Sequence, residues 1–363
     1  VVLPGRIEAT GTMTQTTTDA RAAEPEASPG TDYRYSASRH AAPQLLLFLI
    51  VLFAILEPNF LSPFNLLNTL RQVSFTGLIA VGMTFVILTA GIDLSVGSLL
   101  ALAGMVGAFV AKGGLADRFA VGQAVDAANP WQLAVLAALA VGMLGGAAQG
   151  FTISKLKVPP FVVTLGGLTV FRGLTLILSE GGPISGFESD YTYWGQGRID
   201  ILFIENVPVP ALIFVAVAVI AAIVLRYTRF GQHVYATGGN RMAATLNGVP
   251  TARVIFSVYV IVGFLCGLAG FLLSARLGSA EAVAGIGFEL AVIAAVVIGG
   301  TSLFGGVGGI FGTVVGVLLI GVLTNGLVLL NVSSFVQQVI IGLVLIAAVA
   351  FDQFATRGRR QGA

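Results

Sequence analysis

Val254-Ile-Phe-Ser-Val-Tyr-Val-Ile-Val-Gly-Phe-Leu-Cys-Gly-Leu-Ala-Gly-Phe-Leu-Leu-Ser274 is a run of 21 residues without a charge, bounded by Arg253 before it and Arg276 just beyond it. A helix rises 1.5 Å per residue, so such a run covers about 30 Å, the thickness of a bilayer's hydrocarbon core. Similar apolar runs, separated by charges, Pro or Gly, lie near Gln44–Glu57, Phe75–Ala90, Ser95–Ala111, Trp131–Phe151, Phe161–Ser179 and Pro208–Leu225 on the N-terminal side. On the C-terminal side they lie near Phe288–Gly300, Ile310–Leu330 and Phe335–Phe351. The reading is an all-α, polytopic integral membrane protein of about ten transmembrane helices.

Composition points the same way. Of 363 residues, 56% are hydrophobic and 10% charged, where a soluble domain carries roughly a quarter charged residues. Such a chain cannot cover a water-facing surface, and membrane lipid is its first partner. The net charge of +2 reflects basic residues at membrane borders, so no nucleic-acid partner is expected. Cys266 is the single cysteine, which excludes an internal disulfide and a cysteine-based metal cluster, and it reads as packing. His40 and His233 are the only histidines; there is no zinc-protease helix motif and no obvious general base, so no cofactor, metal or catalytic residue is expected.

Residues 1–40, rich in Ala, Thr, Ser, Pro and mixed charge, read as a disordered cytoplasmic tail, with Met13 as a candidate start. Residues 41–351 form the transmembrane domain and 352–363 a basic cytoplasmic tail. The orientation follows from basic residues. With both termini inside, thirteen fall inside, among them Lys155, Lys157, Arg226, Arg229, Arg241, Arg253, Arg357, Arg359 and Arg360. Five fall outside: Arg71, Lys112, Arg118, Arg198 and Arg276; Arg172 lies within a span. The longest outside loop, Glu180–Val207, is acidic and carries Tyr191, Tyr193 and Trp194. It reads either as an interfacial belt or as part of a docking surface for an extracytoplasmic partner. Glycines at four-residue spacing (Gly142, Gly146, Gly150; Gly263, Gly267; Gly308, Gly312, Gly316) mark close helix approaches.

Two stretches break the apolar pattern alike: Ala90-Gly-Ile-Asp-Leu-Ser-Val-Gly97 and Gly299-Gly-Thr-Ser-Leu-Phe-Gly-Gly306. At one fixed offset Gly91, Gly97 and Gly107 fall on Gly300, Gly306 and Gly316, a hint of internal duplication. Backbone freed from helical bonding at membrane depth must be buried in protein or line a wet cavity. Asp93 and Ser95 are therefore pathway candidates, and equally candidates for capping the helix that follows. Arg172 and Glu289 are ionisable groups inside spans and so candidate sites by default, with Arg172 paired to Glu289 or Asp93 as the structural alternative. Thr84, Thr89, Gln149, Thr164 and Asn325 are further polar groups for the same path. The second stretch has no Lys and follows no strand, so it is not a phosphate loop.

The inside loop 226–253 holds Tyr235-Ala-Thr-Gly-Gly-Asn-Arg-Met-Ala-Ala-Thr-Leu-Asn-Gly-Val-Pro250. Asn240 reads as an N-cap, Arg241–Leu246 as a helix, and Asn247 with Gly248 as a left-handed stop, followed by Pro250. A helix this short is not stable alone in water. With Met242, Ala243, Ala244 and Leu246 as a small apolar surface it must dock, either on its own membrane domain or on a partner. No Walker A sequence occurs, so any ATP hydrolysis belongs to another chain.

These residues resemble the permease subunits of ribose-type sugar ABC importers, over nearly all of Pro43–Phe351. The resemblance is carried by Thr89-Ala-Gly-Ile-Asp-Leu-Ser-Val-Gly97, Lys157-Val-Pro-Pro-Phe-Val-Val-Thr-Leu-Gly166 with Arg172-Gly173, Ala236-Thr-Gly-Gly-Asn240, and Glu289 through Val297-Ile-Gly-Gly-Thr-Ser302. It implies that Gly238, Gly239 and Asn240, with the helix and Gly248 after them, form the ATPase-coupling segment. It also implies three partners: an ABC ATPase, an extracytoplasmic solute-binding protein and a second permease copy. Ala291 stands where an acidic residue usually follows the Glu-Leu pair, so substrate preference is not carried over. An ion-coupled secondary transporter using Asp93 and Glu289 is the alternative; it has no need of the docking helix.

Overall fold

The computed structural model describes residues 30–114, 129–201 and 204–360. Residues 1–29, with Met13, lie outside them. The chain is overwhelmingly helical. In order come α1 (Gly30–Leu56), α2 (Pro63–Leu88), α3 (Val96–Ala111), α4 (Trp131–Ser154) and α5 (Pro160–Ser179). They are followed by α6 (Ser189–Gln196), α7 (Val209–Tyr227), α8 (Arg229–Gly239), α9 (Arg241–Leu246) and α10 (Thr251–Leu277). The last three are α11 (Phe288–Ile298), α12 (Ile310–Leu329) and α13 (Ser334–Arg360).

Among the described residues six helices are long and apolar enough to cross a bilayer: α2, α4, α5, α7, α10 and α12. Four apolar stretches are shorter: Ala42–Leu56, Val96–Ala111, Phe288–Ile298 and Ser334–Ala347. The expected boundaries move at several places. Helix α1 begins at Gly30, within the segment read as a tail, and α13 continues to Arg360; once nucleated, a helix adds residues at little cost. Helix α2 begins at Pro63 rather than near Phe75. The Ser62 hydroxyl accepts from the Asn65 amide at 3.3 Å, and Pro63 occupies the first turn, where its missing N–H costs nothing.

Helices α2 and α10 run through the centre, and α2 is enclosed on all sides by protein over most of its length. Helix α10 lies against α4 through glycines. A Cβ on Gly142 would strike the Gly263 carbonyl, and one on Gly146 the Tyr259 carbonyl, so these backbones touch as the spacing predicts. On the other side Gly312 and Gly316 meet Gly299 and Ala295, joining α12 to α11. Gly308 is different: it precedes α12 with φ +137° and packs on Thr301. A four-residue glycine spacing does not distinguish a helix stripe from a loop.

Helix α5 is the outlying element, with most of its apolar surface exposed and its main contacts on α3. The 180–208 loop folds back on the body. Ile184 and Ser185 pair with Ala280 and Ser279, and Arg198–Ile201 forms a hairpin with Ile204–Pro208. Tyr191 is buried with its hydroxyl 2.6 Å from Ser274 Oγ, and the Trp194 ring sits 4.7 Å from that of Trp131. Burial pushes the Tyr191 phenol up to about 12, so it stays protonated. Tyr193 remains 45% exposed, leaving only part of this aromatic group free for a partner.

Candidate functional site

Three non-helical segments interrupt the body: 89–95, 278–287 and 299–309. Their freed backbone groups must find partners inside the protein, and those partners define the site.

In the first segment, Ala90 adopts φ +59° and the chain turns after α2. Asp93 is wholly buried. Its Oδ1 accepts from the Ser95 amide at 2.8 Å and from the Ser95 hydroxyl at 2.7 Å. Ser95 Oγ in turn accepts from Gln149 Nε2 on α4 at 2.6 Å. Ser95 makes no side-chain bond to the start of α3, so of the two capping candidates only Asp93 bonds backbone, and it does so as a turn before the helix rather than as its cap. The Ile92 carbonyl accepts from the Tyr259 hydroxyl at 3.2 Å and from Thr164 Oγ1 at 3.4 Å. The Thr164 contact is at the long end of hydrogen bonding; α5 also meets the seam at Gly167, which packs on Gln149 and Ser95. Asp93 Oδ2 and Gln149 Oε1 are buried without partners. Asp93, Ser95, Gln149 and Thr164 thus form one buried polar seam. Sequence reading left out Tyr259, which looks like one more apolar position in α10; the available signal is that a buried tyrosine hydroxyl needs a partner.

The second segment runs back into the body. Gly285 lies so close to Gly97 that a Cβ on Gly97 would strike its carbonyl. Arg172 on α5 braces the segment, donating from Nη1 to the Ala282 carbonyl and from Nη2 to the Ala284 carbonyl at 2.9 Å. Glu289 Oε1 accepts from the Gly287 amide at 3.3 Å and lies near enough to Arg172 for their charges to interact. Arg172 is therefore held chiefly by carbonyls rather than by Asp93 or Glu289. Asn325 is remote from all of this: it exchanges amide bonds with Asn65, each 2.9 Å, near the start of α2.

The third segment needs Gly300, Gly305, Gly306 and Gly308 at positive φ. It meets both the end of α2 and α8. Gly306 N donates to the Leu88 carbonyl at 2.9 Å, and the Tyr235 hydroxyl donates to the Gly308 carbonyl at 2.9 Å. Gly238 sits where any Cβ would strike the Leu88 carbonyl, while its neighbour Gly239 has open space. Helix α9 follows, on the residues expected: Asn240 Oδ1 accepts from the Ala243 amide at 3.0 Å, and Gly248 turns at φ +82°. Asn247 stays at φ −84°, so Gly248 alone makes the left-handed stop. The apolar surface expected on α9 divides. Ala244 is buried against its own domain, whereas Met242 is 72% and Leu246 82% exposed, with Ala243 and Arg241 also outside.

The irregular backbone is thus enclosed by apolar helices, six of them long enough to cross a bilayer, and the short helix α9 is half free of that body. The family model for branched-chain amino acid transport system / permease component matches residues 65–349, and the chain belongs to that family. It is similar to the ribose import permease protein of Bacillus subtilis, 47% identical over 308 residues, 85% of this chain and 90% of that one. The ribose import permease protein of Escherichia coli K12 is 43% identical over 311 residues, 85% and 91% of the two chains. The D-allose transport system permease protein of the same strain is 38% identical over 314 residues, 86% and 91%. No solved structure matches this chain.

Proposed function

We propose that this permease is the membrane-spanning subunit of an ATP-binding-cassette importer for a monosaccharide, in a bacterial inner membrane. The family name mentions amino acids, but the relatives of 35–47% identity are named for ribose, allose, xylose and arabinose. The six long helices and four shorter apolar ones make ten spans, with both termini cytoplasmic as the basic residues argue. Gly91 and Gly107 correspond to Gly300 and Gly316 in an internal duplication; Gly97, helical beside the non-helical Gly306, departs from it.

One observation carries the mechanism: Gly238 is wedged against both the Leu88 carbonyl and Gly306. The inside loop is thereby in backbone contact with the end of α2, just before the segment that holds Asp93, and with the segment 299–309. An ABC ATPase gripping the Arg241–Gly248 region through Met242, Ala243 and Leu246 would move α8, and α8 would move both segments. The solute path runs along α5 and α3, past Asp93, Ser95, Thr164, Arg172 and Glu289, beside a second copy of the permease. The long Thr164 contact is where the seam opens. Asn325 belongs to the outer end of the molecule. A solute-binding protein delivers the sugar to that end, near the exposed part of the 180–208 loop.

The test is uptake of labelled ribose, xylose, arabinose and allose by membrane vesicles carrying the whole importer. Uptake should require ATP and ignore proton uncouplers. Uptake abolished by an uncoupler in ATP-loaded vesicles would instead establish the ion-coupled reading, with Asp93 and Glu289 as its carboxylates.

A further inference from the structure

At the end of α2 remote from the coupling loop, a cleft of about 420 Å³ opens between the start of α2 and the end of α12. Its size falls in the ~300–1,000 Å³ range of small-molecule sites. Asn59, Ser62, Asn65, Asn68, Gln72 and Asn325 supply its polar lining, and no lining side chain is ionisable. Phe64 adds an aromatic wall that is 68% exposed. Five carboxamides and a hydroxyl around one space are unusual in so apolar a chain, and each carboxamide offers both donors and an acceptor.

The amides are positioned in advance. Asn65 and Asn325, both buried, exchange reciprocal 2.9 Å bonds across α2 and α12, and Asn65 Nδ2 also donates to the Phe60 carbonyl at 2.8 Å. Asn68 Oδ1 accepts from Arg71 Nη2 at 2.8 Å, which leaves its Nδ2 hydrogens for a ligand. Gln72 is exposed, and among the described residues its amide has no partner. Such a lining suits a neutral ligand with several hydroxyls. The nearest charged groups are engaged with the lining itself, Glu57 on Asn59 Nδ2, Arg71 on Asn68 Oδ1 and Arg198 over the Phe64 ring, and an apolar solute would leave the amides unpaired.

We propose that this cleft is a receiving site for a monosaccharide, occupied before the sugar reaches the seam at Asp93. The proposal rests on the reading of the chain as a sugar permease. Asn68 and Gln72 bond the sugar hydroxyls, the Asn65–Asn325 pair forms the floor, and the Phe64 ring covers a C–H face of the sugar.

The experiment is saturation-transfer NMR on the full chain in lipid nanodiscs, with ribose, xylose, arabinose and allose as probes. Transfer to at least one sugar is expected. It should fall at least fivefold in Asn68→Ala/Gln72→Ala and stay unchanged in Gln338→Ala, an exposed glutamine on α13. If the double variant does not fold, Gln72→Ala alone, at an exposed position, should lower transfer at least twofold. No transfer to any of the four sugars, or transfer equal in variant and wild type, overturns the proposal. The hydroxyls of a phosphatidylglycerol headgroup offer the same chemistry. Sugar transfer that disappears when this lipid is added therefore assigns the cleft to lipid and also overturns it. Vesicle uptake is read separately: uptake with no transfer defeats the cleft alone, whereas absent uptake defeats the functional reading.

Discussion

The segments 89–95 and 299–309 both follow an apolar helix, the first turning at Ala90 and the second at glycine, yet they are held by different means. The first is held by side chains: Asp93 on Ser95, Ser95 on Gln149, Tyr259 and Thr164 on the Ile92 carbonyl. The second is held chiefly by backbone, through Gly306 on Leu88 and glycines pressed against Gly238, Thr301 and Gly312, with one side-chain bond from Tyr235 to the Gly308 carbonyl. A side-chain network can exchange partners by rotating a few torsions. Packed backbones can only move together. In the proposed mechanism the first segment would open and the second would transmit force.

The largest effect that would break this comparison is expected at Gly238. A Cβ there meets backbone atoms that cannot yield, so Gly238→Val should reduce sugar uptake about a hundredfold or more, in line with overpacking costs of ~1–3 kcal/mol and above. Gly239→Val, one residue away in open space, should keep at least half of wild-type uptake. Equal losses at the two positions would show that the contact with Leu88 does not matter.

Next in size is Asp93. Asp93→Leu leaves the buried Ser95 amide and hydroxyl without their acceptor, at about 1–3 kcal/mol, and should lower the folded yield as well as uptake. Asp93→Asn retains an acceptor oxygen and should insert normally, with uptake down about tenfold because the seam then exchanges partners differently. Wild-type uptake per folded molecule in Asp93→Asn would make the residue purely structural. The smallest effect is expected for Tyr235→Phe, which removes one bond to the Gly308 carbonyl worth about 1 kcal/mol. Uptake should fall by roughly two- to fivefold while expression stays unchanged. A hundredfold loss there would mean that this bond, not the glycine packing, transmits the force.

How much of this was legible depended on how local the cause was. Helix α9 could be read to the residue, because Asn240 and Gly248 act on backbone groups within a few positions. Its orientation could not be read: six residues carry too little periodicity to show that Ala244 turns inward while Leu246 turns out. The start of α2 is legible in Ser62 and Pro63, whereas the apolar run alone begins near Phe75. The 278–287 segment was legible as a break, lying between the runs that end at Ser274 and begin at Phe288 and holding Gly278, Gly285 and Gly287, but its return into the body against Gly97 was not. The hold of Arg172 on the Ala282 and Ala284 carbonyls joins positions more than a hundred residues apart, and carbonyl partners leave no signature in side-chain identity. Likewise Asn325 is legible as a polar group within a span, but its pairing with Asn65, 260 positions away, is not. Topology is checked by cysteines introduced at Ser185 and Gly239, which should react with an impermeant reagent from opposite sides of the membrane.

The central claim is that ATP-driven force enters through the free face of α9. Its most direct test compares Leu246→Glu with Ala244→Glu in purified permease mixed with its ATPase. Leu246→Glu should insert and fold like wild type while ATPase co-purification and ATP-dependent uptake fall together, by about tenfold. Ala244→Glu, which forces a charge under the helix, should instead lower the thermal stability of the permease itself. Wild-type co-purification and wild-type uptake in Leu246→Glu would contradict the account.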